Sequence, residues 1–223
     1  MSVGRALRSE GGAPRVLVAA KAPLPGAAKT RLCPPFTAEQ AALLAEAFLA
    51  DVLAAARAVD PGAGLLCRAA DAADLRRRFP GAPLAVQAGD GLSAALAHGV
   101  RGGAAVVAGD APGVGPGAIA AALGSRADLA LAPSHDGGFC LIRMRADRPG
   151  LFDGMTWSTG SVLDELVSAA RAAGLSVELL DPIADVDTAA DLAAVDLAAA
   201  PATRALLREG GITHTPIAPP VLG

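Results

Sequence analysis

The sequence predicts an α/β protein, a three-layer α/β/α sandwich around a mixed, mostly parallel sheet. Two observations predict it. Short apolar runs alternate with Ala-rich stretches of helical period along most of the 223 residues, and repeated βα units build parallel sheets covered on both faces. The alternation breaks once, at 133–138, where one apolar run follows another with no space for a helix. A strand entering the sheet there runs antiparallel to its neighbours. The length suits one domain with a sizeable core. That domain is expected over 15–210, with a flexible extension over 1–14 and an irregular, Pro-rich tail over 211–223.

The elements follow in order. The run RVLVAA over 15–20 reads as a buried strand, and a Pro/Gly-rich loop follows over 21–35. A long helix opens at Thr37 and reaches about residue 59. Thr37 to Gln40 fits a capping box, and Leu43, Leu44, Ala47 and Phe48 keep the helical period. Strand 64–68, helix 71–79, strand 84–87, helix 91–100, strand 104–108, helix 117–123 and strand 129–132 come next. Strand 139–144 follows the short loop directly. Helix 161–173, strand 176–180 and helix 188–198 complete the pattern. Ligands of such sheets bind beyond the carboxyl ends of the strands, so segments 21–31, 89–93, 109–112 and the loop after residue 180 are where a site belongs.

Composition narrows the function. Of the 52% apolar residues, 55 are alanine, so the core is lean, built of Leu and Val, and poor in aromatics. There is no Asn and no Tyr, which removes N-glycosylation sequons, Asn metal ligands and Tyr acids. A net charge of −3 argues against a nucleic-acid binder, which presents a basic face. Cys33, Cys67 and Cys140 make no C-x-x-C pattern, and a reduced cytoplasmic setting is the simplest reading. No apolar run approaches the ~18 residues of a membrane span, and the N-terminus lacks the apolar stretch of a signal peptide. A homodimer is left open. Seventeen of the basic residues are Arg and two are Lys, and both lysines lie within 21–31.

Four constellations could carry chemistry. In the first, Lys21, Lys29 and Arg31 surround the turn residue Gly26 directly after the first strand. Lysine offers a point charge and arginine a planar fork, a set that suits a polyphosphate. The loop is neither a P-loop nor a dinucleotide fingerprint, and a solvated basic loop is the bland alternative. In the second, Asp110 closes the strand over 104–108 as Gly-Asp-Ala-Pro, where it is a ligand for Mg²⁺ or Mn²⁺, or a turn residue. In the third, Asp136 with Gly137 and Gly138 is a base or hydroxyl-positioning carboxylate beside a backbone able to approach a ligand, or a plain Gly-Gly turn. In the fourth, Asp185 and Asp187 share one face if extended and could complete the metal site with Asp110. Asp187 is equally a natural N-cap for the helix at 188. Trp157, the only tryptophan, stacks on a ring or simply packs. Cys33, with no base nearby in sequence, reads as inert.

Together these motifs resemble the DUF2064 family of the glycosyltransferase-A-like, nucleotide-diphospho-sugar transferase superfamily. They are Lys-Ala-Pro-Leu-Pro-Gly-Ala-Ala-Lys-Thr-Arg-Leu at 21–32, Gly-Asp-Ala-Pro, Asp-Gly-Gly-Phe, Trp-Ser-Thr and Asp-Val-Asp-Thr, in this order over 15–197. The resemblance implies a nucleotide-binding sandwich with a divalent metal, Mg²⁺ or Mn²⁺. It assigns Lys21, Gly26, Lys29, Arg31, Gly89 and Asp90 to the nucleotide, and Asp110 and Asp187 to the metal. Gly137, Gly138 and Trp157 fall to the substrate, and Asp136 to catalysis. Two departures stand out. Gly89 to Ala95 lacks the arginine of the family's Gly-Asp-Leu-Gly-x-Arg-Met segment, and Phe139 replaces the Tyr that usually follows Asp-Gly-Gly. The implied reaction is glycosyl transfer from a nucleotide-sugar to a small acceptor. The alternatives are nucleotidylyl transfer from an NTP, as in guanylyltransferases with a similar Lys-Thr-Arg-Leu loop, or nucleotide binding without turnover.

Overall fold

The computed structural model describes residues 13–148 and 150–209. The expected extension lies outside them except for Ala13 and Pro14, and the expected tail lies wholly outside. Seven strands form one sheet: β1 (Val16–Ala19), β2 (Gly64–Cys67), β3 (Leu84–Val86), β4 (Ala105–Ala108), β5 (Leu129–Pro133), β6 (Phe139–Met144) and β7 (Val177–Leu179). Their order is β3-β2-β1-β4-β6-β5-β7. β6 pairs antiparallel with β4 and β5, and every other pairing is parallel. The mixed sheet and its reversed strand match the sequence expectation, because the connection from β5 to β6 is too short for a crossover.

The helices are α1 (Ala38–Val59), α2 (Ala72–Arg78), α3 (Gly91–Gly99), α4 (Pro116–Gly124), α5 (Val162–Ala172), α6 (Ala189–Ala194) and α7 (Pro201–Glu209). Strand alternation divides the core between two faces. Val16, Val18, Leu65, Val107 and Leu141 pack under α1, α2 and α4. Leu17, Leu66, Val106, Leu131 and Ile142 pack under α3 and α5. A third cluster joins Leu32 and Phe36 of the loop after β1 to Leu44 and Phe48 of α1 and to Val186 and Leu192. Among the described residues no helix is long and apolar enough to cross a membrane.

Two expectations are corrected. The sequence predicts a last helix over 188–198, but α6 stops at Ala194, where Val195 turns extended with φ −68° and ψ 138°. Helix α7 lies beyond the helices the sequence pattern predicts. Its local sequence opens on Pro201, a favoured first position, but the groups that satisfy its first turn come from elsewhere. The buried Asp51 of α1 accepts from the N–H groups of Ala202 and Thr203 at 2.8 and 2.9 Å, and from the Thr203 hydroxyl at 2.7 Å.

Two other buried carboxylates pin the frame beneath the site. Asp60 accepts from the N–H groups of Arg15 and Val16, at 2.7 and 3.2 Å, and so holds the start of β1. Asp71 accepts from the Ala22 N–H at 3.1 Å and from Arg68 at 2.8 Å, and so fixes the first step of the loop after β1.

Candidate functional site

β1 has β2 on one side and β4 on the other, so the chain's progress across the sheet reverses between β1 and β4. Open α/β sheets hold their ligands in the crevice at such a reversal. A cleft of about 570 Å³ opens there, lined by residues of the loop after β1, the end of β4, the β5–β6 turn and the loop before α5. Gly109 brings the two strand ends together. Its N–H donates to the Ala19 carbonyl at 3.1 Å, and a Cβ would lie 2.4 Å from that oxygen and 2.4 Å from a Leu49 methyl.

Opposite charges meet at one end of the cleft. The Lys29 ammonium donates to Asp110 Oδ2 and to Asp187 Oδ1, each at 2.7 Å. The Arg31 guanidinium donates to Asp187 Oδ2 at 2.8 Å. Burial works against the Lys29 charge, but the Asp110 and Asp187 carboxylates outweigh it and hold its pKa above the ordinary lysine value. Lys21 donates to the Ala27 carbonyl at 2.6 Å, closing the loop on itself. Gly26 forms the turn between them at φ 71°. It does not line the cleft, so its part is to shape the loop.

Asp187 does not cap the helix that follows it. Thr188 takes that position in a complete capping box with Asp191, which leaves the Asp187 carboxylate to the two cations. The Asp110 carbonyl accepts from the Val186 N–H at 2.9 Å, so this backbone bond draws segment 185–187 to the end of β4. Asp185 lines the cleft as well. Half-burial and the neighbouring Asp110, Asp136 and Asp187 charges push its pKa up to about 6. Its alternation with Asp187 is the sequence signal that marks it as a candidate.

Asp136 accepts from the Ser134 hydroxyl and from the Gly138 N–H at 3.0 Å. The Ser134 bond, with help from Gly138 and Arg31, holds its carboxyl below the usual range even though burial opposes this. It is therefore an ionised acceptor, oriented toward the cleft by its own turn. The glycines beside it do different jobs. Gly138 lines the cleft, whereas Gly137 does not. Gly137, at φ 87°, packs so closely on Gly160 that a Cβ would sit 2.1 Å from the Gly160 carbonyl oxygen. This close packing ties the Asp-Gly-Gly turn to the Trp-Ser-Thr segment.

Trp157 stands on the apolar side. Its Nε1–H donates to the Ser93 hydroxyl at 2.7 Å, and Ser93 donates in turn to the Phe152 carbonyl at 2.9 Å. Phe139 meets the indole edge-on, with centroids 6.4 Å apart at 71°. Trp157 is thus both packed and cleft-lining. Leu92 and Leu96 of α3 share that wall, while Gly89 and Asp90 lie outside the lining. Cys140 lines the cleft, but burial, with Asp185, Asp110 and Asp136 nearby, pushes its thiol far up, so it is no nucleophile. Among the described residues two non-glycines have left-handed backbone, Lys29 at φ 47° and Ser158 at φ 64°. Both line this cleft, and strain of this kind gathers at functional sites.

Comparison with known proteins bears on the fold and the family. No curated protein matches the chain. A solved protein from Desulfovibrio desulfuricans G20, provisionally named a nucleotide-diphospho-sugar transferase, is 30% identical over 79% of this chain and 83% of its own, with a TM-score of 0.72. The bifunctional IspDF from Campylobacter jejuni superposes over 81% of this chain and 53% of its own at 10% identity, with a TM-score of 0.56, which speaks to the fold alone. The fold is that of nucleotide-diphospho-sugar transferase-like proteins. The family model DUF2064, described as an uncharacterized protein conserved in bacteria, matches residues 44–159. That span holds Asp110, Asp136 and Trp157 but neither the lysine loop nor Asp187. With more than half of its length matched by that model, the chain belongs to the DUF2064 family.

Proposed function

We propose that this protein is a metal-dependent transferase that moves a glycosyl unit from a nucleotide-sugar to a small acceptor. The observation that carries this reading is the convergence of Lys29, Arg31, Asp110 and Asp187 at the β1–β4 crevice. The cleft lining bears three cationic side chains, Lys21, Lys29 and Arg31, against four carboxylates, Asp110, Asp136, Asp185 and Asp187. So balanced a set does not attract a diphosphate unaided, and a divalent cation supplies the missing charge. Asp110 and Asp187 fit that ion. They offer hard oxygen ligands, both already turned to one cation, and Mg²⁺ or Mn²⁺ needs only one or two carboxylates when phosphate supplies the rest. When bound, such an ion neutralises charge on the departing nucleoside diphosphate.

The chain's own groups do the remaining work. Lys21 and Arg31 bind phosphate oxygens at the cleft mouth. Asp136, ionised and fixed by its turn, accepts a hydrogen bond from the acceptor hydroxyl and orients it. The indole of Trp157 and the side chains of Leu92 and Phe139 form the dry wall beyond the phosphates. The Desulfovibrio relative's provisional name supports a nucleotide-sugar as donor. The three cations in one loop favour a second reading, nucleotidylyl transfer from an NTP.

One experiment separates them. The protein is incubated with nucleotide-sugars or NTPs, candidate acceptors, and Mg²⁺ or Mn²⁺. Release of nucleoside diphosphate with sugar on the acceptor is expected, whereas pyrophosphate release with a nucleotidylated product overturns the reading in favour of the second. Asp110→Ala is expected to abolish metal-dependent nucleotide binding. The emission of Trp157 reports it, since the chain has one Trp and no Tyr. Unchanged affinity across a metal titration refutes that role.

A further inference from the structure

We propose that Lys29 is the resident counter-ion of the two site carboxylates and changes partners when substrate arrives, yielding Asp110 and Asp187 to a divalent cation and passing its ammonium to phosphate. This rests on the transferase reading above and adds a coupling to it: metal and phosphate each bind well only in the presence of the other.

The geometry gives three reasons. First, one ammonium occupies oxygens of both acids, at 2.7 Å each, and Arg31 takes the second oxygen of Asp187. While Lys29 stays, Asp187 has no oxygen free of a cationic partner, and an ammonium on a carboxylate oxygen repels a divalent ion approaching the same oxygen. Second, among the described residues no three His, Cys, Asp or Glu side chains converge to hold a metal. The metal-free protein therefore has no ready cage, and a cation completes its shell with phosphate oxygens. Third, Lys29 sits in left-handed backbone at φ 47°, a conformation that a side-chain-bearing residue keeps only while its surroundings enforce it. Breaking its two ion pairs therefore releases a side chain whose backbone already stands in a sparsely populated conformation.

Phosphate alone then finds Lys29 already engaged, and metal alone finds the carboxylates already neutralised. Together they replace the two Lys29–carboxylate pairs with cation–carboxylate and ammonium–phosphate pairs, which is positive coupling and necessarily reciprocal.

The test titrates Mn²⁺ by electron paramagnetic resonance into the wild-type protein and Lys29→Gln, with and without inorganic pyrophosphate. Lys29→Gln is expected to bind Mn²⁺ alone at least about tenfold more tightly than wild type, a coupling of ordinary size. Pyrophosphate is expected to tighten Mn²⁺ binding more in wild type than in the variant. If wild type binds Mn²⁺ with pyrophosphate and Lys29→Gln binds Mn²⁺ alone no more tightly than wild type, the partner exchange is overturned while the transferase reading survives. If wild type takes up no Mn²⁺ under either condition, the transferase reading falls and this inference falls with it. A second measurement avoids the variant. Lys21 and Lys29 are the only lysines, so ¹⁵N-lysine labelling gives two side-chain ammonium resonances. The Lys29 resonance is expected to shift when Mg²⁺ and pyrophosphate are added together, and no shift at saturation overturns the proposal.

Discussion

Asp185 is a residue whose environment works against its charge. It stands half-buried among Asp110, Asp136 and Asp187, and its pKa is raised to about 6. A raised carboxyl pKa means that the folded state prefers the proton. The stability tied to this group is complete below about pH 4 and is lost as pH rises through about 6. Two pH units would convert to ~3 kcal/mol in a dry site, and half-exposure screens this to about 1 kcal/mol. In metal-free protein, Asp185→Asn is expected to gain about that much stability over wild type at pH 8 and little at pH 4.5. Urea denaturation at the two pH values checks it, and an equal gain at both refutes it. At this scale local sequence was a good guide to residue type and a poor one to partner. The Asp-Gly-Gly turn is legible, but the packing of Gly137 on Gly160 depends on a loop more than twenty residues away in sequence.

Helix ends show the same division. Both capping boxes, Thr37 with Gln40 and Thr188 with Asp191, are complete. The first was read from local spacing. The second is obscured in the sequence because Asp187 is itself a good cap, and the folded chain gives that place to Thr188 while Asp187 pairs with Lys29 and Arg31. Removing either threonine is expected to lose about 1 kcal/mol. The functional consequences differ. Thr188→Ala loosens the backbone that carries Asp187, so it is expected to weaken metal-dependent nucleotide binding several-fold, whereas Thr37→Ala leaves that binding unchanged. Denaturation together with Trp157 fluorescence titration checks both, and equal binding losses in the two variants would show that the caps act only on stability. The α7 helix escaped sequence reading because Asp51, its capping group, belongs to another helix about 150 positions earlier.

At the scale of the molecule, the alanine-rich composition concentrates the large contacts in a few side chains. Phe48 is fully buried, belongs to the cluster that clamps the loop after β1 against segment 186–192, and also lines the cleft. Phe48→Ala is expected to destabilise by ~3–5 kcal/mol. It should also weaken nucleotide binding beyond what the stability loss explains, because the clamp sets the distance between Lys29 and Asp187. Binding measured well below the melting transition checks this, and wild-type affinity there would refute it.

Strand and helix periods, the reversed strand β6 and the concentration of lysine after β1 were readable along the chain because each depends on neighbours within a few residues. Strand order, the β1–β4 crevice and the pairing of Lys29 with partners 81 and 158 positions away were not. They depend on which apolar faces bury against one another across the sheet, and that choice exists only once the chain has closed on its core.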